Sequence, residues 1–123
     1  MTIKEVLEMT DELKPNQYTE PMKIKWLSTV EGRLIEEIIN PRNEIKKDIP
    51  VYTLDDKETK LLVPDPYSDI YIKYLCMMIE FYNYEIDRYN NDVVMFNNSY
   101  KSFSDYYNRH NIAVENLDIT NFM

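Results

Sequence analysis

The sequence predicts an all-α protein, a small helical bundle with one long C-terminal helix. Apolar residues recur at alternating spacings of three and four through residues 67–107, the pattern of a helix that buries one stripe. Two segments nearer the N-terminus show a similar periodicity, and the chain has a single glycine. We expect one helical domain over residues 1–123, with an extended insertion at 41–66 and a tail at 111–123 that is flexible or ordered by a partner.

The first predicted helix covers residues 3–13. Thr2 and Glu5 have the spacing of a capping box, in which each side chain bonds the backbone N–H of the other residue. Apolar residues then follow on one face of the helix. Residues 14–16, which include a proline, form a short connection to the next helix.

The second predicted helix begins after Thr19, with Pro21 tolerated in its first turn, and ends near Asn40 because Pro41 opposes continuation. Gly32 lies in the middle of this helix, where glycine costs about 1 kcal/mol relative to alanine. A close crossing with another helix explains a glycine there, and so does a chance surface position.

The insertion interrupts the helical pattern with prolines. Its arms, residues 51–54 and 60–63, flank the polar run DDKET, which predicts a short extended segment or β-hairpin around residues 49–63. An isolated two-stranded hairpin is marginally stable in water. The insertion must therefore lie on the bundle or pair with another chain.

The long helix is predicted to start with Asp65 as its cap and Pro66 in its first turn. Neither proline nor glycine interrupts residues 67–107, and the register never slips, so we expect a continuous or only kinked helix. The weak point is residues 90–92, where two asparagines and an aspartate favour a helix end. The predicted buried stripe is Ile72, Leu75, Ile79, Tyr82, Ile86, Tyr89, Val93, Phe96, Tyr100, Phe103 and Tyr107.

The apolar face of the long helix is broad in its first half. Tyr74, Met77, Met78 and Phe81 widen it beyond a two-stranded coiled-coil seam, which favours a helix covered on two sides inside a bundle. The alternative is a face shared with a neighbouring subunit.

Charge and hydropathy exclude several classes of protein. The net charge of −8 argues against a protein that holds nucleic acid through its phosphates, although mimicry of DNA remains an alternative. A mean hydropathy of −0.54 argues against a membrane span. The N-terminal residues lack a secretory pattern, and the single cysteine, Cys76, is expected to be a buried thiol in a cytosolic protein.

No catalytic, metal-binding or cofactor-binding site is predicted. One glycine cannot form a glycine-rich phosphate loop, and one histidine with one cysteine excludes most zinc sites. The adjacent carboxylates at 36–37 and 55–56 do not resemble an acid–base pair, since neighbours on a helix diverge. We expect His110 to interact with free carbonyls near a helix end, and we expect a non-enzymatic protein that uses no cofactor.

Protein interaction is the function that the composition favours. Eleven tyrosines are present, several of them off the predicted buried stripe, and amphipathic aromatic residues are enriched at protein interfaces. The candidate interface residues are Tyr52, Leu54, Leu61, Leu62, Trp26 and Tyr84.

The layout of the chain resembles small head–tail connector, or adaptor, proteins of tailed bacteriophages and prophages of Gram-positive bacteria. The similar segments are residues 3–39, IKEVLEMTDELKPNQYTEPMKIKWLSTVEGRLIEEII, and residues 61–111, LLVPDPYSDIYIKYLCMMIEFYNYEIDRYNNDVVMFNNSYKSFSDYYNRHN. This resemblance rests on the order and character of the segments.

The resemblance implies a helical structural protein that joins the portal at the capsid vertex to the tail. Its implied partners are the portal, other connector or tail proteins, and copies of itself in a ring that isolated monomers need not form. It implies assembly in the bacterial cytoplasm and a final place in the virion neck, with no catalytic residues. The alternative is an acidic helical regulator that binds a host protein or a DNA-binding protein through its tyrosine-rich faces.

Overall fold

The structure, a computed structural model, describes residues 1–111, and this range contains four α-helices and no β-strand. The helices are α1 (Ile3–Leu13), α2 (Glu20–Leu34), α3 (Ile70–Tyr82) and α4 (Ile86–His110). The prediction of an all-α bundle with a long C-terminal helix is confirmed. The predicted tail lies outside the described residues except for Asn111. No helix in the described range is long and apolar enough to cross a bilayer.

The predicted bounds and cap of α1 are confirmed. The Thr2 hydroxyl accepts a hydrogen bond from the Glu5 N–H at 3.2 Å, and the Glu5 carboxylate accepts one from the Thr2 N–H at 3.1 Å. These bonds satisfy N–H groups that have no partner inside the helix. The face that α1 buries is formed by Ile3, Val6, Leu7 and Thr10.

Helix α2 begins as predicted, but its C-terminal turns change character. The Thr19 hydroxyl accepts a hydrogen bond from the Met22 N–H at 3.4 Å. The chain stays helical through Arg42, with a π-helical turn at Ile35–Ile39 and a 3-10 turn at Asn40–Arg42 that contains Pro41. The wide π-helical turn and the tight 3-10 turn end the helix around Pro41, close to its predicted end near Asn40.

The apolar stripe of residues 67–107 belongs to two helices, so the prediction of one continuous helix is wrong. Residues 83–85 form a turn, while residues 90–92 lie unbroken inside α4. The two helices are antiparallel, because Lys73 hydrogen-bonds Ser99 at 2.7 Å while Phe81 packs against Tyr89 at 5.4 Å between ring centroids.

The turn is closed by backbone hydrogen bonds. The N–H of Glu85 donates to the carbonyl of Glu80 at 3.1 Å, and that of Tyr84 donates to the carbonyl of Phe81 at 3.2 Å. This is the Schellman arrangement, in which the residue after the helix cap adopts a left-handed conformation. Here that residue is Tyr84, with φ of 58°.

The start of α3 also differs from the prediction. Asp65 does not cap it and Pro66 is not in its first turn, because residues 64–69 form turns and the helix begins at Ile70. The Asp65 carboxylate instead accepts a hydrogen bond from the Ser68 hydroxyl.

The insertion forms no β-hairpin; within it, Leu54–Asp56 adopt a 3-10 turn. Its polar run and its second arm both bond the start of the chain. The N–H groups of Ile3 and Lys4 donate to the carbonyls of Thr59 and Lys57 at 3.1 and 2.9 Å. Because the first N–H groups of a helix have no partner within it, the insertion supplies acceptors that α1 lacks.

The core is built from one face of each helix together with Leu61 and Val63 of the insertion. Gly32 is buried, and a Cβ there would lie 3.0 Å from the Cγ2 of Ile49. The insertion, and not a crossing helix, makes the close approach. The fully buried stripe includes Leu75 and Ile79 of α3, whereas Ile86 is 69% exposed and Tyr82 is 42% exposed beside the turn.

Replacing Ile79 with alanine should lower the free energy of unfolding by about 2 to 5 kcal/mol, because the side chain is fully buried. The same change at Ile86 should cost under about 0.5 kcal/mol, because most of that side chain is in water. Urea unfolding followed by circular dichroism measures both. Equal losses at the two sites would contradict the turn at residues 83–85.

Candidate protein-interaction surface

The six predicted interface residues occupy different environments. Trp26 and Leu61 are only 5% and 6% exposed, so they belong to the core and are not available on the surface of this subunit. Leu54, Leu62 and Tyr84 are exposed, by 48%, 37% and 87%. Tyr52 is half-buried, and its hydroxyl is engaged inside the protein.

The insertion is held in place by the buried carboxylate of Glu31. This side chain of α2 is 0% exposed. It accepts hydrogen bonds from the Tyr71 hydroxyl at 2.5 Å, the Tyr52 hydroxyl at 3.1 Å and the Leu62 N–H at 3.0 Å. The Tyr71 hydroxyl in turn accepts one from the N–H of Val63 at 2.9 Å. One carboxylate therefore connects α2, α3 and both arms of the insertion.

The titration of this cluster is shifted by burial. Burial raises the pKa of Glu31, and the hydrogen bonds from Tyr71, Leu62 and Tyr52 oppose that shift. Burial and the neighbouring charge of Glu31 hold the pKa of Tyr71 above its usual range. A shifted carboxylate can mark a catalytic site, but this one is sealed from solvent and its bonds go to parts of the fold. The cluster is therefore structural.

A group of exposed aromatic and aliphatic side chains lies at the α3–α4 turn. We call it the hairpin-tip patch and define it as Phe81, Tyr82, Tyr84 and Ile86, which are 49%, 42%, 87% and 69% exposed. A cavity of about 290 Å³ adjoins it, lined in part by Tyr89 and Asn90. Contiguous exposed apolar side chains of this kind mark sites of protein interaction.

A buried tryptophan and a half-buried tyrosine position the patch. The ring of Tyr82 stacks on Trp26 with a centroid distance of 5.5 Å and an interplanar angle of 7°. Tyr18 meets the edge of Trp26 at 5.6 Å, and its hydroxyl donates to the side chain of Asn83 at 2.7 Å. Trp26, predicted as an interface residue, thus packs beneath the hairpin-tip patch and supports it from the core.

Tyr84 occupies a backbone conformation that disfavours its side chain. Left-handed φ values cost an L-residue about 1–2 kcal/mol, and glycine is the usual residue at this position of a Schellman turn. With 87% of the side chain in water, little packing offsets that cost. An unfavourable backbone conformation at an exposed aromatic residue is a reason to suspect a function.

Sequence analysis identified Tyr84 but missed the rest of the patch. It assigned Tyr82 and Ile86 to the buried stripe, because the turn leaves the three-four spacing intact. The available signal was Asn83, a residue type that favours helix ends over helix interiors.

A second apolar surface lies in a groove beside α3, with a volume of about 360 Å³. Residues of α1 and α4 form its walls, and residues of α3 form its floor. Near one end, Lys14 forms an ion pair with the buried carboxylate of Glu80. Burial raises the pKa of both Cys76 and Asp92, which line the groove. Cys76 is half-buried, whereas full burial was expected.

The remaining titratable residues form no recognisable reaction centre in the described range. No group of three or more histidine, cysteine, aspartate or glutamate side chains within residues 1–111 could hold a metal ion. The Nδ1 of His110 lies 2.8 Å from the carbonyl of Tyr106, as expected for a histidine near a helix end.

Comparisons of the chain with protein-family models, with curated proteins and with solved structures found no match.

Glu31→Gln should change how stability depends on pH. Because the folded-state pKa of Glu31 lies above its ordinary value of 4.5, ionisation favours the unfolded chain. The stability from the protonated carboxyl is full below about pH 4.5 and is lost as the pH rises through the folded-state pKa. The free energy of unfolding of the wild type, relative to Glu31→Gln, should therefore fall across that window.

Chemical unfolding at a series of pH values measures this difference. Glu12→Gln, at an exposed position of α1, controls for the loss of a carboxylate. A wild-type advantage over Glu31→Gln that stays constant with pH would contradict the raised pKa.

Tyr84→Gly should raise the free energy of unfolding by about 0.5–1 kcal/mol, because glycine adopts the left-handed conformation without steric cost. Tyr84→Ala removes the same ring and keeps the backbone cost, so it isolates the contribution of packing. Thermal and urea unfolding of both variants give the comparison. A glycine variant no more stable than the alanine variant would show that the backbone of Tyr84 is not strained.

Proposed function

We propose that this chain is a non-enzymatic assembly protein that joins the portal at the capsid vertex to the tail of a bacteriophage, as a component of a ring. The hairpin-tip patch is the observation that most supports a binding role. Four large apolar side chains are exposed there, and one of them retains an unfavourable backbone conformation. A partner that covers the patch would bury this surface and account for the retained tyrosine.

We propose a connector in particular because the order and character of the sequence segments resemble those of head–tail connector proteins. A ring built by head-to-tail contact needs two different surfaces on each subunit. Besides the hairpin-tip patch, the insertion also exposes apolar side chains, among them Val51 and Leu54 at 81% and 48% exposure. These residues and the hairpin-tip patch are the two surfaces we assign to ring neighbours and the portal.

The two surfaces are attached near opposite ends of α1. The insertion bonds the first turn of this helix, through Ile3 and Lys4, whereas Lys14 at its other end pairs with Glu80 just before the tip. The 11 residues of α1 span about 16 Å at 1.5 Å per residue. A separation of this size allows one subunit to contact two neighbours at once.

The alternative proposal is an acidic helical regulator that binds a host protein or a DNA-binding protein. The same tip patch serves this reading, and the net charge of −8 suits a basic partner. The genes beside the one that encodes this chain separate the two proposals. Portal and major capsid genes are expected beside a connector, and their absence would favour the regulator.

The decisive experiment is complementation of a deletion of the gene in its own phage or prophage. A Tyr84→Gly, Ile86→Asp double variant should fold, since both side chains are largely in water, yet fail to enter particles. Particle composition and negative-stain electron microscopy provide the readout. Lys101→Glu, at an exposed position of α4, is the control and should support tailed particles.

The insertion surface is tested in the same assay with a Val51→Asp, Leu54→Asp double variant. Leu61 is unsuitable for this purpose, because a charge at a 6% exposed position would disrupt the core. If both folded double variants produce normal tailed particles, neither surface joins the portal to the tail, and the regulator becomes the better proposal.

A further inference from the structure

The groove beside α3 is a candidate binding site for another helix. Residues of α1 and α4, on either side of α3, line it together with residues of α3, and its volume is about 360 Å³. The apolar wall residues remain open to water: Met9, Leu13 and Met95 are 42%, 69% and 50% exposed. Unbranched methionine side chains adapt readily to the shape of a partner.

One carboxylate in this groove has no hydrogen-bond partner. Asp92 lies inside α4, and its Oδ2 is buried without a donor. The two lysines near the groove are already engaged, Lys14 with Glu80 and Lys73 with Asp69 at 3.0 Å. A buried carboxylate oxygen without a donor is costly, and an incoming cation or N–H group would offset that cost.

We propose that this groove binds an amphipathic helix of a partner protein, which packs its apolar stripe against Met9, Leu13 and Met95 and places a lysine or arginine on Asp92. The inference rests on the proposed protein-binding function and names the chemistry of one partner. A helix in a groove between two helices is an established mode of recognition, with anchors three and four residues apart.

Charge favours a basic partner over the chain's own tail. The protein carries a net charge of −8, which attracts a cationic segment, and Asp92 provides a specific site for one of its charges. Residues 112–123 contain Glu115 and Asp118 but no lysine or arginine. They cannot supply a further cation for Asp92.

Cys76 provides a direct readout, because it lines the groove and is the single cysteine of the chain. The probe is a model peptide of about 15 residues with leucine at helical three-four spacing and lysine elsewhere. A saturating amount should slow alkylation of Cys76 in the full-length protein by about tenfold, since labelling requires the free groove. A matched peptide with glutamate in place of lysine should give no protection.

Two charge-matched variants separate specific pairing from general attraction. Asp92→Asn should weaken binding of the lysine peptide about tenfold, measured by fluorescence anisotropy, since a charged partner is lost from a half-buried site. Asp87→Asn removes the same charge from an exposed position of α4 and should leave the affinity unchanged.

Three results would overturn the inference: no protection of Cys76, equal weakening by both variants, or protection that rises with the concentration of the chain alone. The last would assign the groove to a second copy. None of these three results contradicts the proposed assembly function if the Tyr84→Gly, Ile86→Asp variant still fails to enter particles. Normal particles from that variant would count against the assembly function instead.

Discussion

The buried carboxylate of Glu31 is the interaction on which the arrangement of this chain depends. Residues 43–69 contain no helix longer than one 3-10 turn, so this segment cannot satisfy its own backbone groups or hold its own shape. Glu31 accepts from the backbone of one arm and, through Tyr52 and Tyr71, fixes the rest of the insertion against α2 and α3. Removing it would leave three donors in α3 and the insertion without their acceptor, which costs more than any single hydrogen bond contributes.

The elements predicted correctly are those whose determinants are local. The capping box of Thr2 and Glu5 and the proline after Asn40 act within a few residues, so sequence spacing reveals them. The turn at residues 83–85 is invisible to the same reasoning. Tyr82 and Ile86 stand four apart whether the chain continues as one helix or reverses direction, because a three-residue turn preserves that spacing. Periodicity indicates which residues can lie on one apolar face, but it does not show whether that face belongs to one helix or to two antiparallel helices.

The insertion was mispredicted for a different physical reason. Its two arms have the composition of short strands, yet their hydrogen bonds are made with distant partners and not with each other. In the second arm, the N–H of Leu61 donates to the carbonyl of Met1 and the N–H of Leu62 donates to Glu31. Val30 and Glu31 are adjacent in α2, and both are buried. Nothing local indicates that a buried carboxylate would recruit tyrosines 21 and 40 residues away.

The candidate surface could be predicted only in part, because its residues are unfavourable for the fold at positions that the sequence pattern does not reveal. A fold optimised for stability alone would place glycine at residue 84 and an uncharged side chain at residue 92, since the present residues each add cost. Both lie beside exposed apolar side chains, at the tip and in the groove. Lys14 and Glu80, which adjoin the groove and the tip respectively, form an ion pair that links them. These unfavourable features beside exposed apolar side chains support the proposal that partners cover both surfaces.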